Sequence, residues 1–398
     1  MPWKNTSIIG ERWQLVKALL RGEESVTQRC RSSGISRKTA YKWLKRFTAG
    51  GRRDLGDRSR RPHRVPLRMR RQWIQRIAGE RRRHRHWGPK KIQAGLLRRY
   101  GQAPATVTIA RWLQRLQLVN RRPRRPRKAC WLAVPPLTRA TAPNQVWTAD
   151  FKGWFRTGNG QRVEPLTVRD LFSRYLLVVR LLPDQRWRPT KAVFTRLFKQ
   201  YGLPRIIRTD NGGPFASTGP AGLSRLSAWW TALGIRVEFT RPGHPEDNGA
   251  HEQMHRVFKA ETTRTVAATP QGQQHRTTCW VNYYNRLRPH QALGQAVPES
   301  WYGNSPRPMP KHGPLLQYPA AWEQRQVRSN GEIKWRGRKR FVGEAFVRRR
   351  IGLKPIRPGV HGVYFGHILI GHLHDNDPGA MRPVVYRFRN ARLPNPKV

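Results

Sequence analysis

Apolar residues recur at helical spacing through the first third of the chain. They then break into short runs and alternations from about residue 144 onward. In "SVTQRCRSSGISRKTAYKWLKRF", Ala40, Trp43, Leu44 and Phe47 repeat three to four residues apart, one face of a helix. Ser36 stands before that run as a cap, Gly34 supplies a turn, and a short helix over residues 25–33 precedes it. The pattern predicts a helix-turn-helix within residues 1–60. Arg37, Lys38, Lys42, Lys45 and Arg46 lie off its apolar stripe and are the candidate DNA contacts. An ordinary helical hairpin with a solvated basic face has the same pattern. Ser33 fits the motif poorly, since an apolar residue before the turn would pack better. After the polar stretch "GGRRDLGDRSRRPHRVP", the amphipathic runs "GPKKIQAGLLRRYG" and "VTIARWLQRLQL" predict a second helix-turn-helix within residues 61–128, with Thr106 or Thr108 near the second start. "RRPRRPRK" closes it as an extended, phosphate-tracking linker.

The middle texture is different. "NQVWTADFKG", "VEPLTVRD" and "RYLLVVRLL" read as three strands close in sequence, an antiparallel meander. A helix "PTKAVFTRLFKQYG", a strand "PRIIRTDNGG", a helix "GLSRLSAWWTALG", a strand "IRVEFT" and a helix "NGAHEQMHRVFKAET" follow. That order, β-β-β-α-β-α-β-α, predicts an α/β domain with a mixed sheet over residues 140–310. Residues 317–376 alternate as strands, with Asn330-Gly331 as a hairpin signal, and predict a small all-β barrel or sheet that also contacts nucleic acid. Residues 377–398 are expected to be a tail. His367, His372 and His374 suggest a metal, but alternation along a strand explains them as well.

Charge narrows the partner. Against 79 Lys plus Arg stand 22 Asp plus Glu, a formal net charge of +57. Self-repulsion on that scale destabilises a compact state unless a polyanion shares the surface, so the expected partner is nucleic acid. Charge alone implies binding, not catalysis. Cys30, Cys130 and Cys279 are isolated, which excludes a Cys-based zinc finger and a disulfide framework and fits a reducing cytoplasm. No apolar run approaches the ~20 residues of a membrane span. The first residues lack a signal-peptide core, so a soluble intracellular protein is expected.

In so basic a chain, "RPGHPEDNGAHEQMHRVFKAE" is unusual for its four carboxylates, Glu246, Asp247, Glu252 and Glu261. Two more acids stand where strands are predicted: Asp150 inside "WTADFKG" and Asp210 at the end of "RIIRTD". Taken singly, Asp210 is turn chemistry and Asp150 a buried acid paired with an arginine. Taken with a third acid on the following helix, they suit phosphoryl transfer. That chemistry needs two divalent cations ~3.5–4 Å apart, held by carboxylate oxygen.

Five ordered motifs, "WTADFKG", "LTVRDLFSRYLL", "RTDNGGPFAS", "RPGHPEDNGAHEQMHRVFKAE" and "YNRLRPHQALG", resemble the retroviral-integrase-like core of bacterial insertion-sequence transposases. The resemblance implies a multidomain fold: helix-turn-helix units, an α/β ribonuclease-H-like catalytic core and a small all-β C-terminal barrel. It implies a catalytic, metal-binding triad of Asp150, Asp210 and Glu252, with Mg²⁺ as cofactor and Mn²⁺ as substitute. Glu246 meets the shorter spacing common in the family, but it lies in a loop, whereas Glu252 lies on the helix after Asn-Gly. Glu252 is expected to share a helix face with His255, Arg256 and Lys259, the last two holding flanking phosphates. Asp247 and Glu246 suit the helix start, Glu261 is expected to pair on its own helix, and Asp170 is read as structural.

The implied activity is cleavage at the terminal inverted repeats of a mobile element, then joining of the 3′-hydroxyl to target DNA. The partners are double-stranded DNA and further copies of the chain, with no membrane, in a bacterial cytoplasm near the nucleoid. Retroviral integrases carry a zinc-binding His/Cys N-terminal domain that this sequence lacks, so end recognition falls to the helix-turn-helix units. Three rivals remain: a non-enzymatic DNA-binding regulator, a ribonuclease H or structure-specific nuclease with Asp170 as a fourth ligand, and a decayed copy that binds without cutting.

Overall fold

The computed structural model describes residues 7–59, 69–119, 137–241, 247, 249–311 and 316–384. Its contacts divide the chain into two compact units, Met1–Arg70 and Arg71–Val398.

The first unit is three helices, each begun by a serine cap: α1 (Ile8–Arg21), α2 (Val26–Ser32) and α3 (Arg37–Gly50). Ser7, Ser25 and Ser36 each accept a bond from a backbone N–H of the first turn, which satisfies donors the helix cannot. Leu15, Val16, Trp43 and Leu55 form the core, with Ile35 and Phe47 packed against it. Ser33 is exposed and closes α2 through its N–H to Arg29 O, 3.1 Å. Ile35, beyond the αL Gly34, packs in place of the apolar residue expected at 33. Arg37, Lys38, Lys42 and Lys45 are exposed. Arg46 differs from the expectation: its guanidinium lies 4.8 Å from the Trp43 ring centre and reaches Gly56 O at 3.4 Å.

The second unit begins with α4 (Arg71–Arg83), α5 (Pro89–Tyr100) and α6 (Thr106–Arg115). Buried Glu80 of α4 pairs with Arg83 of its own helix at 2.7 Å and with Arg99 of α5 at 3.5 Å. Thr106 starts α6 as expected, and its hydroxyl donates to Gln93 Oε1 at 2.6 Å. Gly95 is required where Trp87 approaches, because a Cβ would lie 2.8 Å from that ring.

The predicted meander is present as β1 (Val146–Phe151), a short β2 (Phe155–Arg156), β3 (Arg162–Asp170) and β4 (Leu176–Leu182). Then come α7 (Trp187–Tyr201), β5 (Ile206–Thr209), α8 (Arg225–Ala232), β6 (Arg236–Phe239), α9 (Gly249–Thr262) and α10 (Pro270–Arg286). β3 lies between β4 and β1, both antiparallel to it, while β5 and β6 continue from β1 in parallel. Phe194, Phe198 and Trp230 from α7 and α8 pack with Trp147, Leu166 and Val168 on one side. Met254, Phe258, Trp280 and Tyr284 from α9 and α10 pack with Leu176 and Val179 on the other. Covered on both faces, β3 is buried at every residue after Arg162.

The C-terminal module corrects three expectations. Its strands are β7 (Glu323–Gln326), β8 (Glu332–Trp335), β9 (Arg338–Phe341), β10 (Arg350–Arg357), β11 (Val360–Phe365), β12 (Ile368–His374) and β13 (Arg382–Pro383). Among the described residues they form an open sheet, β13-β12-β11-β10-β7, and a separate β8-β9 hairpin, not a closed barrel. The sheet's edge strands, β7 with four residues and β13 with two, do not pair with each other. The hairpin turns at Arg336-Gly337, both with positive φ (46° and 76°), as a two-residue hairpin loop demands. Asn330-Gly331 only turns the chain into β8. Residues 377–384 are not tail, because β13 pairs with β12 and Met381 is buried in the module core. Among the described residues, His367, His372 and His374 join no group of three metal-ligating side chains, and no helix is long and apolar enough to cross a membrane.

A Cβ on Gly371 would lie 2.5 Å from Met381 Cγ and 2.6 Å from Arg382 O. Gly371→Ala should therefore cost about 1–3 kcal/mol in urea unfolding. In a chain ending at residue 376 the same change should cost far less, as both obstructing residues are gone. Equal costs in the two backgrounds would put 377–384 outside the module.

Candidate active site

The site starts from a strand register. β1 and β5 run parallel with Val146 opposite Ile206, Trp147 opposite Ile207 and Thr148 opposite Arg208. Two residues further along each strand stand Asp150 and Asp210, on neighbours ~4.8 Å apart. Asp210 leaves β5 into a turn in which the Gly212 N–H reaches its Oδ1 at 3.3 Å. A Cβ on Gly212 would crowd Oδ2 at 3.1 Å.

α9 brings the third acid. Its inner face is His251, Met254, His255 and Phe258, all buried, and its outer face carries Glu252, Arg256 and Lys259, all exposed. His255 therefore faces inward, away from the basic outer face where the i+3 spacing was expected to leave it. Its burial follows from the apolar stripe it shares with Met254 and Phe258.

Electrostatics ties the acids together. Burial first, then the charge of Asp210 and more weakly that of Glu252, push the Asp150 carboxyl up to about 7, against the Phe151 N–H and Lys152. Burial also raises Asp210. A buried acid raised further by neighbouring acids is unfavourable without a cation, and a set of carboxylate oxygens suits a hard divalent ion.

Beneath Asp150 lies a chain of contacts that the sequence reading missed. The Thr167 hydroxyl donates to Asp150 O at 2.9 Å and sits 2.6 Å from His251 Nε2 and 2.7 Å from His255 Nε2. The Thr148 hydroxyl lies 2.9 Å from His251 Nδ1. His255 Nδ1 is 3.6 Å from Asp150 Oδ2. Burial, with Lys152 and Arg169, lowers His255 to about 3, and burial holds His251 well below its ordinary value. Both rings are neutral at neutral pH. The available signal was the His-x-x-x-His spacing on the apolar stripe of α9.

The other acids have different work. Asp170 is fully buried and accepts from Asn144 N (2.8 Å), Ser173 N (2.7 Å) and Ser173 Oγ (2.7 Å). It pairs opposite Trp147, three residues or ~10 Å along the strand from Asp150. Asp247 is held by Arg241 at 2.6 Å. Glu261 reaches off its helix, to Trp280 Nε1 (2.7 Å) and Arg288 (3.3 Å), rather than pairing on it. Glu246 lies outside the described residues.

Family comparisons match four segments of the chain. An "Integrase core domain" family matches residues 140–245 and a second family of that description matches 233–298. "Winged helix-turn helix" matches 12–70, and "IS481 family transposase, C-terminal domain" matches 323–375. Together these matches support a bacterial insertion-sequence transposase of the integrase superfamily. Among its relatives is the IS407 insertion-element 31.7 kDa protein of Burkholderia multivorans, 28% identical over 62% of this chain and 83% of that protein. The IS476 insertion-element 39.2 kDa protein of Xanthomonas euvesicatoria is 30% identical over 42% of this chain and 47% of that one. The HTLV-2 integrase catalytic core domain, solved in complex with magnesium, aligns at 16% identity and a TM-score of 0.32. The alignment covers 41% of this chain and 99% of that one, and a likeness that low positions no residue.

The Asp150 carboxyl has a folded value near 7 against 3.8 for the unfolded chain. Folding therefore favours its protonated form, and stability is lost as pH rises from about 4 through about 7. In EDTA, Asp150→Asn should raise stability at pH 8 by on the order of 1–2 kcal/mol, with much less gain at pH 5. An equal gain at both pH values, or a loss at pH 8, would contradict the raised carboxyl.

Proposed function

We propose that this chain is a transposase that cleaves the terminal inverted repeats of its own element and joins the freed 3′-hydroxyl to target DNA. The observation that carries the reading is the parallel β1–β5 register, which brings Asp150 and Asp210 together in an integrase core, with the charge of Glu252 on α9 also felt at Asp150. Asp150, Asp210 and Glu252 would hold Mg²⁺, or Mn²⁺ in its place. Bound there, the cations would activate the attacking oxygen and stabilise the leaving one. The chain's own residues do the positioning. Asp150 is fixed from behind by Thr167, and Arg256 and Lys259 flank Glu252 on the exposed face of α9, where they would hold phosphates. Asp170 is engaged by Asn144 and Ser173, which leaves little support for a fourth carboxylate ligand of the ribonuclease H kind. Sequence reading falls to α3 of the first unit, and joining two element ends calls for a homo-oligomer on DNA.

Asp150→Asn, Asp210→Asn and Glu252→Gln should each lower metal-dependent cleavage and strand transfer by roughly a hundred- to a thousandfold, with DNA affinity nearly unchanged. Glu246→Gln should stay active. A dead Glu246→Gln beside an active Glu252→Gln would overturn the assignment. Full activity in all three triad variants would put the chemistry elsewhere, and no metal-dependent cleavage by the wild-type chain would leave it a DNA-binding regulator.

In the first unit, alanine at Arg37, Lys38, Lys42 or Lys45 should weaken binding to the terminal repeats. Each lost phosphate contact should lower the salt slope by about one. Arg46→Ala should act chiefly on stability, through its stacking on Trp43. A salt slope that changes for Arg46→Ala alone would reverse the roles.

A further inference from the structure

Thr167 has one hydroxyl proton and three close partners. Asp150 O, a carbonyl, can only accept. All three contacts are hydrogen bonds in one arrangement alone: the hydroxyl donates to Asp150 O, and both histidines donate to the hydroxyl from Nε2. His251 Nδ1 then accepts from Thr148, so both of its ring nitrogens are engaged. In the neutral ring that a ligand requires, His255 carries its lone pair on Nδ1, 3.6 Å from Asp150 Oδ2 and within one cluster of possible metal ligands with it. Once Asp150 is ionised, as a metal ligand must be, both atoms are acceptors and make no hydrogen bond at any separation. His255 is 5% exposed, and a lone pair facing an acid in so buried a place needs something positive between them.

Resting on the reading of Asp150 as a metal ligand, we infer that His255 Nδ1 is a further ligand of the cation held by Asp150. The site then has a mixed oxygen-and-nitrogen donor set. Thr167 orients the ring from behind, as a hydrogen-bonded partner of a ligating imidazole does. Imidazole nitrogen suits transition metals, whereas Mg²⁺ prefers oxygen. The mixed set therefore favours Mn²⁺ over Mg²⁺ more strongly than a carboxylate-only set would. His251 lies in the same cluster of potential ligands, but both its nitrogens are engaged by threonines and it stays outside the shell.

The test uses the full chain and Mn²⁺ alone, read by titration and by electron spin-echo detection of nitrogen coupled to the bound ion. Wild type should show directly coordinated nitrogen. His255→Asn should abolish that coupling and weaken Mn²⁺ by about tenfold or more, while changing Mg²⁺ affinity by less than about threefold. If His255→Asn does not fold, His255→Gln is measured in its place, and loss of the coupling in Asp150→Asn assigns it to the same ion. Mn²⁺ that binds in an Asp150-dependent way without direct nitrogen coupling overturns the His255 ligand and leaves the metal reading standing. Coupling that survives His255→Asn overturns it as well. Absence of any Asp150-dependent Mn²⁺ binding sinks the metal reading and this inference with it.

Discussion

Val146, Trp147 and Thr148 lie beside Ile206, Ile207 and Arg208 in parallel, and that pairing decides where two carboxylates meet. A slip of one residue would move each side chain to the opposite face of the sheet. Both faces here are filled, with Trp147 and Ile207 on the α7–α8 side and Thr148 against His251 of α9, so a slip would break two cores at once. Register is set by burial remote from the site. Its consequence is Asp150 beside Asp210, an arrangement that burial and like charge both oppose. A well-packed sheet thus holds an unfavourable pair in place for a cation to stabilise.

The same economy governs the other acids. With 22 carboxylates against 79 cationic side chains, each acid has many possible partners. Several neutralise arginines that the fold has buried: Glu238 meets Arg208 at 2.7 Å, and Glu261 meets Arg288 at 3.3 Å. Glu80 is itself buried and gathers Arg83, His84 and Arg99 around it. Asp150 is the contrast, since its close ring partner, His255, is neutral. In a chain this basic, an acid held away from the arginines marks a place where another positive charge is expected.

Much of this was legible in the sequence because local chemistry announced it. Serine caps, Gly34 and period-3.6 apolar spacing located α2 and α3, and runs of Val, Ile and Leu located the meander strands. Asp150 and Asp210 stood out because strand ends rarely keep acids in so basic a chain. The misses share a cause, which is that the deciding contacts are distant. The hairpin at Arg336-Gly337 carries no Asn or Asp to signal positive φ at its first position, while Asn330-Gly331 does and turns the chain without joining paired strands. β13 is two residues long and is held by β12 and the burial of Met381, so no pattern of its own marks it. Arg46 looked solvent-facing by spacing, but a guanidinium stem covers an aromatic ring as readily as it meets phosphate.

His255 shows where reading by spacing stops. Positions i+3 and i+4 from Glu252 differ by one residue, yet one is buried among Thr167 and Asp150 and the other is exposed beside phosphate-binding candidates. Only the packing of Met254 and Phe258 against Leu176 and Val179 sets which way α9 is rotated. That rotation also brings both histidines to one hydroxyl, and the hydroxyl to the backbone of Asp150. The apolar seam under α9 and the orientation of the first carboxylate are therefore one structural unit. A cavity cut into that seam would tilt the helix, and Glu252, Arg256 and Lys259 would move with it although none of them touches the cavity.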